Sequence, residues 1–193
     1  MTVIADSLAS MANWTAVHGV GLSSTGSAAQ AQAISNYDGS QHNTALASGD
    51  HRASAILGGL HSLNYLDVKI RHNGSSGASR NGWQVSVGGS NEYYISEVTG
   101  GSGTDRVSGT VSLSDGQVLM GEAEGTAIRL KLNGTTINSY TSSLYQSNTR
   151  VALGIYRGGA TNATFANFAA EDLAAPPPAD AYLTLPPLAP PRR

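Results

Sequence analysis

Glu122-Ala123-Glu124 sets two carboxylates two positions apart. On a strand that spacing puts both on one face, where a carboxylate pair can divide acid and nucleophile roles across a glycosidic bond. Gly125-Thr126-Ala127 follows with no third acid, and Gly121 and Gly125 read as bends. The expectation is a solvated strand edge and no catalytic residue. The five histidines, His18, His42, His51, His61 and His72, form no i, i+2 or i, i+4 pair, so no metal site and no cofactor is expected. With no cysteine, disulfides, thiolate sites and cysteine nucleophiles are excluded. EF-hand, Walker and G-x-S-x-G patterns are missing. Four N-x-[S/T] sequons begin at Asn13, Asn73, Asn133 and Asn162, a number that chance explains in a chain rich in Asn, Ser and Thr. One constellation suits a sugar. Tyr37, Tyr140 and Tyr145 fall in expected loops near Asp38, Asn138 and Asn148, which offers aromatic platforms beside hydrogen-bonding groups. The competing reading of these tyrosines is rim packing at strand ends.

The elements that must position these residues are strands. In Tyr65–His72, Leu66, Val68 and Ile70 alternate with Asp67, Lys69 and Arg71, the pattern of a half-buried strand. Trp83/Val85/Val87, Val107/Val111/Leu113, Ile128/Leu130/Leu132 and Val151/Leu153/Ile155 supply further stripes, and a last strand holds Phe165 and Phe168. Asn73-Gly74, Asn81-Gly82, Asp115-Gly116 and Asn133-Gly134 carry residues that tolerate positive φ, as tight hairpins require. The Gly/Ser stretches 23–27, 73–82 and 99–104 read as exposed loops. Together these runs predict about ten to thirteen strands in a sandwich or barrel. The one helical candidate is a turn from Asp6 to Met11, N-capped by Asp6.

The bulk numbers narrow the function classes. Charged residues make up 12% of the 193 and the net charge is −2, with nine scattered arginines and two distant lysines, so no nucleic-acid partner is expected. No apolar run approaches the ~20 residues that span a bilayer, so no membrane insertion is expected. MTVIADSLASMANW lacks a basic n-region, and the expectation is a soluble chain made in the cytoplasm.

The order of features carries a resemblance. Asp6-Ser7-Leu8 and Asn13-Trp14-Thr15 precede Asp67–Arg71, Gly82–Val85 and Tyr93-Tyr94-Ile95. Gly116, Gly125, Ile128 and Leu132-Asn133-Gly134 follow, then Gly154-Ile155-Tyr156, Phe165–Phe168 and Glu171-Asp172-Leu173. Over residues 3–173 this resembles the concanavalin-like, laminin-G-like jelly-roll domain, in the version found in minor tail and other virion surface proteins of actinobacterial tailed phages. The resemblance implies an all-β, antiparallel two-sheet jelly-roll sandwich over residues 1–173. It implies no chemistry by itself, since one scaffold serves lectins, glucanases and inert modules. Glucanases of this kind carry an E-x-D-x-x-E run, which Glu122-Ala123-Glu124 does not complete.

All seven prolines lie in residues 174–193, a proline-rich extended arm. Pro176, Pro177, Pro178, Pro186, Pro187, Pro190 and Pro191 favour polyproline II. Three readings compete. A bare linker has no use for Tyr182, Leu183, Leu185 and Leu188. Pro187, Pro190 and Arg192 fit a short P-x-x-P-x-R ligand. The third reading is an arm docked on a neighbouring subunit, stiffened by proline, with Arg192 and Arg193 against acidic surface. The resulting expectation is a non-enzymatic phage virion structural protein, a capsid decoration or minor tail protein. It would be made in the host cytoplasm, displayed on the virion surface and anchored to capsid or tail subunits. A homo-oligomer is expected, with a trimer one option because decoration proteins often occupy threefold axes. The alternative is a module that binds a host cell-surface glycan or receptor.

Overall fold

The computed structural model describes residues 1–34 and 36–174, which form fifteen strands and one short 3-10 turn, Gly77–Ser79. The strands are β1 (Val3–Asp6), β2 (Trp14–His18), β3 (Leu22–Ser24), β4 (Ala29–Ala31), β5 (Asn36–His42), β6 (His51–Gly58), β7 (Asn64–His72) and β8 (Gly82–Gly88). They continue as β9 (Glu92–Thr99), β10 (Ser102–Thr110), β11 (Val118–Glu124), β12 (Ala127–Leu132), β13 (Thr135–Thr141), β14 (Arg150–Arg157) and β15 (Thr164–Asp172). One sheet runs β13-β12-β11-β6-β15-β4-β3, with β1 also on β15; the other runs β10-β9-β8-β7-β14-β5-β2. Every pairing is antiparallel. The arm residues Pro176 to Arg193 lie outside the described residues.

The inward stripes meet between the sheets. Leu66, Val68, Ile70, Trp83, Val85, Val87, Leu153 and Ile155 from the second sheet face Ala53, Ala55, Leu119, Ala123, Ile128, Leu130 and Phe165 from the first, all fully buried. The first sheet mixes alanines with Leu119, Ile128, Leu130 and Phe165, so its contribution to the close-packed interior alternates in size. At Gly121 the two sheets leave little room for a side chain. A Cβ there would lie 3.1 Å from Val85 Cγ2 and 3.2 Å from Ile70 Cγ2.

Several expectations are corrected. No helix forms at Asp6–Met11: Asp6 ends β1, and its Oδ1 accepts from Leu8 N at 2.8 Å in a local turn. Leu8 takes φ +59°, which a helix cannot continue. The stretches 23–27 and 99–104 contain strand as well as turn, since β3 ends at Ser24 and β10 begins at Ser102. Asn81-Gly82 is no hairpin tip; Gly82 opens β8 with its α-carbon packed against the backbone of Arg71 and His72. Val111 and Leu113 lie beyond β10. The polar face of β7 is not solvated, because Asp67, Lys69 and Arg71 are all buried. Arg71 also leaves that face. A register shift between Arg150 and Ala152 opposite it, with Arg71 at φ +47°, turns its side chain to Gly49 O (2.8 Å), Asp50 Oδ1 (2.8 Å) and Gly125 O (2.7 Å). Phe165 and Phe168, three apart, both reach the core because β15 is irregular between Ala166 and Ala169, with Asn167 at φ +47°.

Candidate functional site

The outer face of the second sheet carries three aligned rows. Register places Tyr37, Tyr156, Tyr65, Gly88 and Glu92 in the first row. Gly39, Gly154, Asp67, Ser86 and Tyr94 form the second. Gln41, Ala152, Lys69, Gln84 and Ser96 form the third, with Asp105 beyond Ser96. These rows enclose an open groove of about 360 Å³ lined by Tyr37, Tyr65, Asp67, Gln84, Ser86, Tyr94, Ser96, Asp105 and Tyr156.

One wall is aromatic. Tyr65 stands 6.1 Å from Tyr94 and 6.3 Å from Tyr156 between ring centroids, and its hydroxyl donates to Glu92 Oε2 at 3.1 Å. Burial and the Glu92 carboxylate push the Tyr65 phenol up to about 12. Burial and Glu92 likewise raise Tyr94, so both rings are neutral platforms at physiological pH.

The floor is a closed polar network. Lys69, 2% exposed, donates to Asp67 Oδ1, to Tyr37 Oη and to Gln84 Oε1 (3.0 Å), which uses all three ammonium protons. Tyr37 in turn donates to Asp67 Oδ2, and the Gln84 amide donates to Ser86 Oγ at 3.2 Å. Burial pulls the Lys69 pKa down while Asp67 opposes it; burial and Asp67 drive Tyr37 well above its ordinary range. Ser96 Oγ donates to Asp105 Oδ1 at 2.6 Å. Gly154 makes the floor possible, since a Cβ there would fall 2.0 Å from Tyr37 Oη. Tyr37 therefore lies across the bare backbone of β14 to reach β7.

The structure brings only one sequence-selected tyrosine into the groove. Tyr37 is on β5 rather than in a loop, and its neighbour Asp38 is buried, accepting from the backbone N–H groups of Val20, Gln32 and Ala33. Tyr140 is on β13, and Tyr145 is in the following turn at φ +62°. They pack on Trp83 at 5.5 and 6.5 Å between centroids, and Tyr145 meets Thr99 Oγ1 at 2.5 Å. Asn138 donates to Tyr93 Oη and Asn148 to Arg71 O, away from the groove lining. Sequence reasoning missed Tyr65, Tyr94, Tyr156, Gln84 and Asp105. The available signal was their outward phase in strands whose inward phase is aliphatic.

The carboxylate pair lies elsewhere. Ala123 and Gly121 face the core, so Glu122 and Glu124 project from the outer face of the opposite sheet. β11 is flanked by β12 and β6, so it is no edge. Arg129 Nη1 donates to Glu122 (2.9 Å) and Glu124 (2.8 Å), and Lys131 donates to Glu122 at 2.7 Å. Partial burial would raise Glu122, but the two cations hold it below the usual carboxylate range. Among the described residues no group of three or more His, Cys, Asp or Glu side chains gathers as metal ligands. No helix there is long and apolar enough to cross a membrane.

No family model matches the sequence, and no curated protein matches it. Solved structures do. Carbohydrate-binding module CBM66 from Bacillus subtilis superposes with a TM-score of 0.68 at 16% identity, over 83% of this chain and 96% of that one. A Bacillus subtilis protein of unknown function with a galectin-like fold gives 0.67 at 10% identity, over 88% and 94%. A β-1,3-1,4-glucanase from a mouse hindgut metagenome gives 0.65 at 8%, over 90% and 100%. The fold is a galectin-like, concanavalin-like jelly roll. At these identities the likeness establishes the fold alone, and that fold is shared by binding modules and glycosidases.

Proposed function

We propose that this protein is a non-catalytic glycan-binding module and that the groove on its second sheet holds the sugar. The observation that carries this reading is an aromatic wall of Tyr65, Tyr94 and Tyr156 beside a polar floor fixed in place by Lys69. The apolar C–H face of a pyranose or furanose ring stacks on tyrosine, while its hydroxyls bond to Gln84, Ser86, Ser96 and Asp105. Similarity to a carbohydrate-binding module supports it. The absence of catalysis is part of the proposal. Two-carboxylate hydrolysis needs both groups free to act on the bond, and Asp67 is already engaged by Lys69 and Tyr37. The Glu122–Glu124 pair lies on the other sheet.

The sequence resemblance to virion surface jelly rolls motivates a setting for this activity. In that setting a phage particle carries the module outward as an adhesion or decoration protein, docked through residues 174–193. The carbohydrate-related fold neighbours favour adhesion over a purely mechanical role. A glycan panel probed with the full chain tests the function. Binding should appear for at least one oligosaccharide class and fall at least tenfold in Tyr65→Ala and Tyr94→Ala, with unchanged far-UV circular dichroism. Loss of about 1.4 kcal/mol of stacking gives that factor. Uniform silence across the panel, or binding indifferent to both substitutions, refutes it.

A further inference from the structure

Beside the tyrosine groove, and sharing Tyr37 and Gln84 with it, lies a smaller hollow of about 180 Å³, also lined by His18, Arg80, Val98, Gly101 and Gly103. Arg80 is 6% exposed. Its Nε donates to Gly77 O at 3.1 Å and its Nη2 to Gly101 O at 2.8 Å, so two turns hold the guanidinium in place. Both acceptors are neutral. Among the described residues no carboxylate pairs with Arg80; Arg150 and Arg157 likewise bond only carbonyl oxygens, but both are half-exposed, whereas Arg80 is buried. Its Nη1 makes no hydrogen bond to the described protein. Lys69, which bonds Tyr37 and Gln84 of the lining, is fully used by them and Asp67. On another wall the His18 ring lies tilted against Tyr37, 4.7 Å between centroids, and its Nδ1 is buried with no partner. The remaining wall is largely backbone, because Gly101 and Gly103 present no side chain.

A nearly buried guanidinium without a counter-ion is costly unless something negative completes it. Arginine presents a planar fork of donors suited to carboxylate and phosphate oxygens. We propose that this hollow is a subsite for the anionic substituent, carboxylate or phosphate, of an acidic glycan. The proposal rests on the glycan-binding reading and sharpens it. Asp67 and Asp105 line the neighbouring groove. The ligand is therefore held in one direction, with an uncharged sugar unit against the tyrosines and the acidic unit at Arg80 and His18.

Calorimetric titration of the full chain tests this with oligouronates, phosphorylated oligosaccharides, and their carboxyl-reduced or dephosphorylated counterparts. Glucuronate and inorganic phosphate serve as small probes. The acidic ligand should bind about 10- to 100-fold more tightly than its neutral counterpart, the range expected for a charge-assisted bond in a mostly buried site. Whichever of the two acids shows the preference identifies the substituent. Arg80→Gln should erase that preference, so that the acidic ligand and its neutral counterpart bind the variant about equally. Arg80 also pins two turns, so Arg80→Lys, which keeps the charge, and His18→Ala, which leaves those turns alone, are measured in parallel. Arg80→Lys should retain part of the preference, and His18→Ala should weaken it. Equal affinity for acidic and neutral ligands overturns the subsite, as does a preference that survives Arg80→Gln. The two proposals fail separately. If glucuronate or phosphate binds in an Arg80-dependent way and no oligosaccharide does, the groove reading falls and the anion site stands. If neutral oligosaccharides bind in a Tyr94-dependent way without acid preference, the reverse holds.

Discussion

Gly154→Ala is the sharpest test of how the groove floor is built. In an extended strand, alanine in place of glycine normally stabilises by about 0.5–1 kcal/mol, because the unfolded chain loses freedom. Here the sign should reverse. The new Cβ would sit 2.0 Å from Tyr37 Oη, 2.6 Å from Tyr37 Cζ and 2.7 Å from Asp67 Oδ1, distances no relaxed structure holds. Tyr37 must swing off β14. It then loses a bond donated to Asp67 and one accepted from Lys69, each to a charged partner and each about 1.5–3 kcal/mol when broken with the partner left buried. Water entering the open groove replaces part of that. The net expectation is about 2–3 kcal/mol of destabilisation, or roughly 5–10 °C in Tm for a domain of this size. Urea unfolding of four proteins gives the answer: wild type, Gly154→Ala, Tyr37→Ala and the double variant. In the Tyr37→Ala background the larger obstacle is gone and only Asp67 Oδ1, at 2.7 Å, must yield, so Gly154→Ala should cost about 1 kcal/mol or less, leaving a coupling of at least about 1 kcal/mol. Additive behaviour, or a stabilised Gly154→Ala single variant, would show that Tyr37 does not lie across β14, and the network argument would fail with it.

Three further outcomes follow from the same structure. Burial, reinforced by Lys69, Arg80 and Arg150, lowers His72 to about 3, so the unfolded chain takes up its proton first. Its contribution to stability is complete above about pH 6.5 and is lost as pH falls toward 3, at most ~4–5 kcal/mol; His72→Gln should flatten Tm between pH 6.5 and 4.5, and an unchanged slope counts against it. Asp172 accepts from the backbone N–H groups of Thr2, Ala47 and Ser48, tying the first residues and the β5–β6 connection to the last strand. Asp172→Asn should cost about 2–3 kcal/mol in chemical denaturation, since an amide loses the charge and one acceptor oxygen. Glu122→Gln should lower stability by about 1–2 kcal/mol through the loss of paired charge at a site 7% exposed, yet leave glycan affinity unchanged because it lies on the opposite sheet. A parallel change in affinity would place the functional face wrongly.

Which parts were legible follows from which are local. The inward stripes Leu66/Val68/Ile70 and Ile128/Leu130/Leu132 depend only on period two, and both are fully or nearly fully buried. Asn133-Gly134, at φ +49° and +81°, turns β12 into β13 as its composition indicates. The site was not legible because its wall joins Tyr65, Tyr94 and Tyr156 through the orders β7-β14 and β7-β8-β9. Those pairings and their register are set by tertiary packing, and local sequence does not carry them. Bulges add a second blind spot. The inserted residue at Arg71 inverts the side-chain phase, so a strict alternation assigns that guanidinium to the wrong face.

The two faces of the sandwich use charge in opposite ways. Opposite the groove, Glu122, Glu124, Arg129 and Lys131 pair with one another, and the Arg129–Glu124 pair remains partly open to solvent, where screening makes it worth little. In the groove floor, Lys69 is sealed and every one of its protons is used, which fixes Asp67, Gln84 and Tyr37 before any ligand arrives. A floor that mobile carboxylates lined would have to order itself on binding and would spend affinity doing so. A floor locked in advance suits recognition, and it works against hydrolysis, which needs a carboxyl group free to exchange protons with the substrate. Arg80 departs from this pattern. It is held by two backbone carbonyls and buried nearly as deeply as Lys69, but it has no carboxylate of its own, so its charge remains available to a ligand.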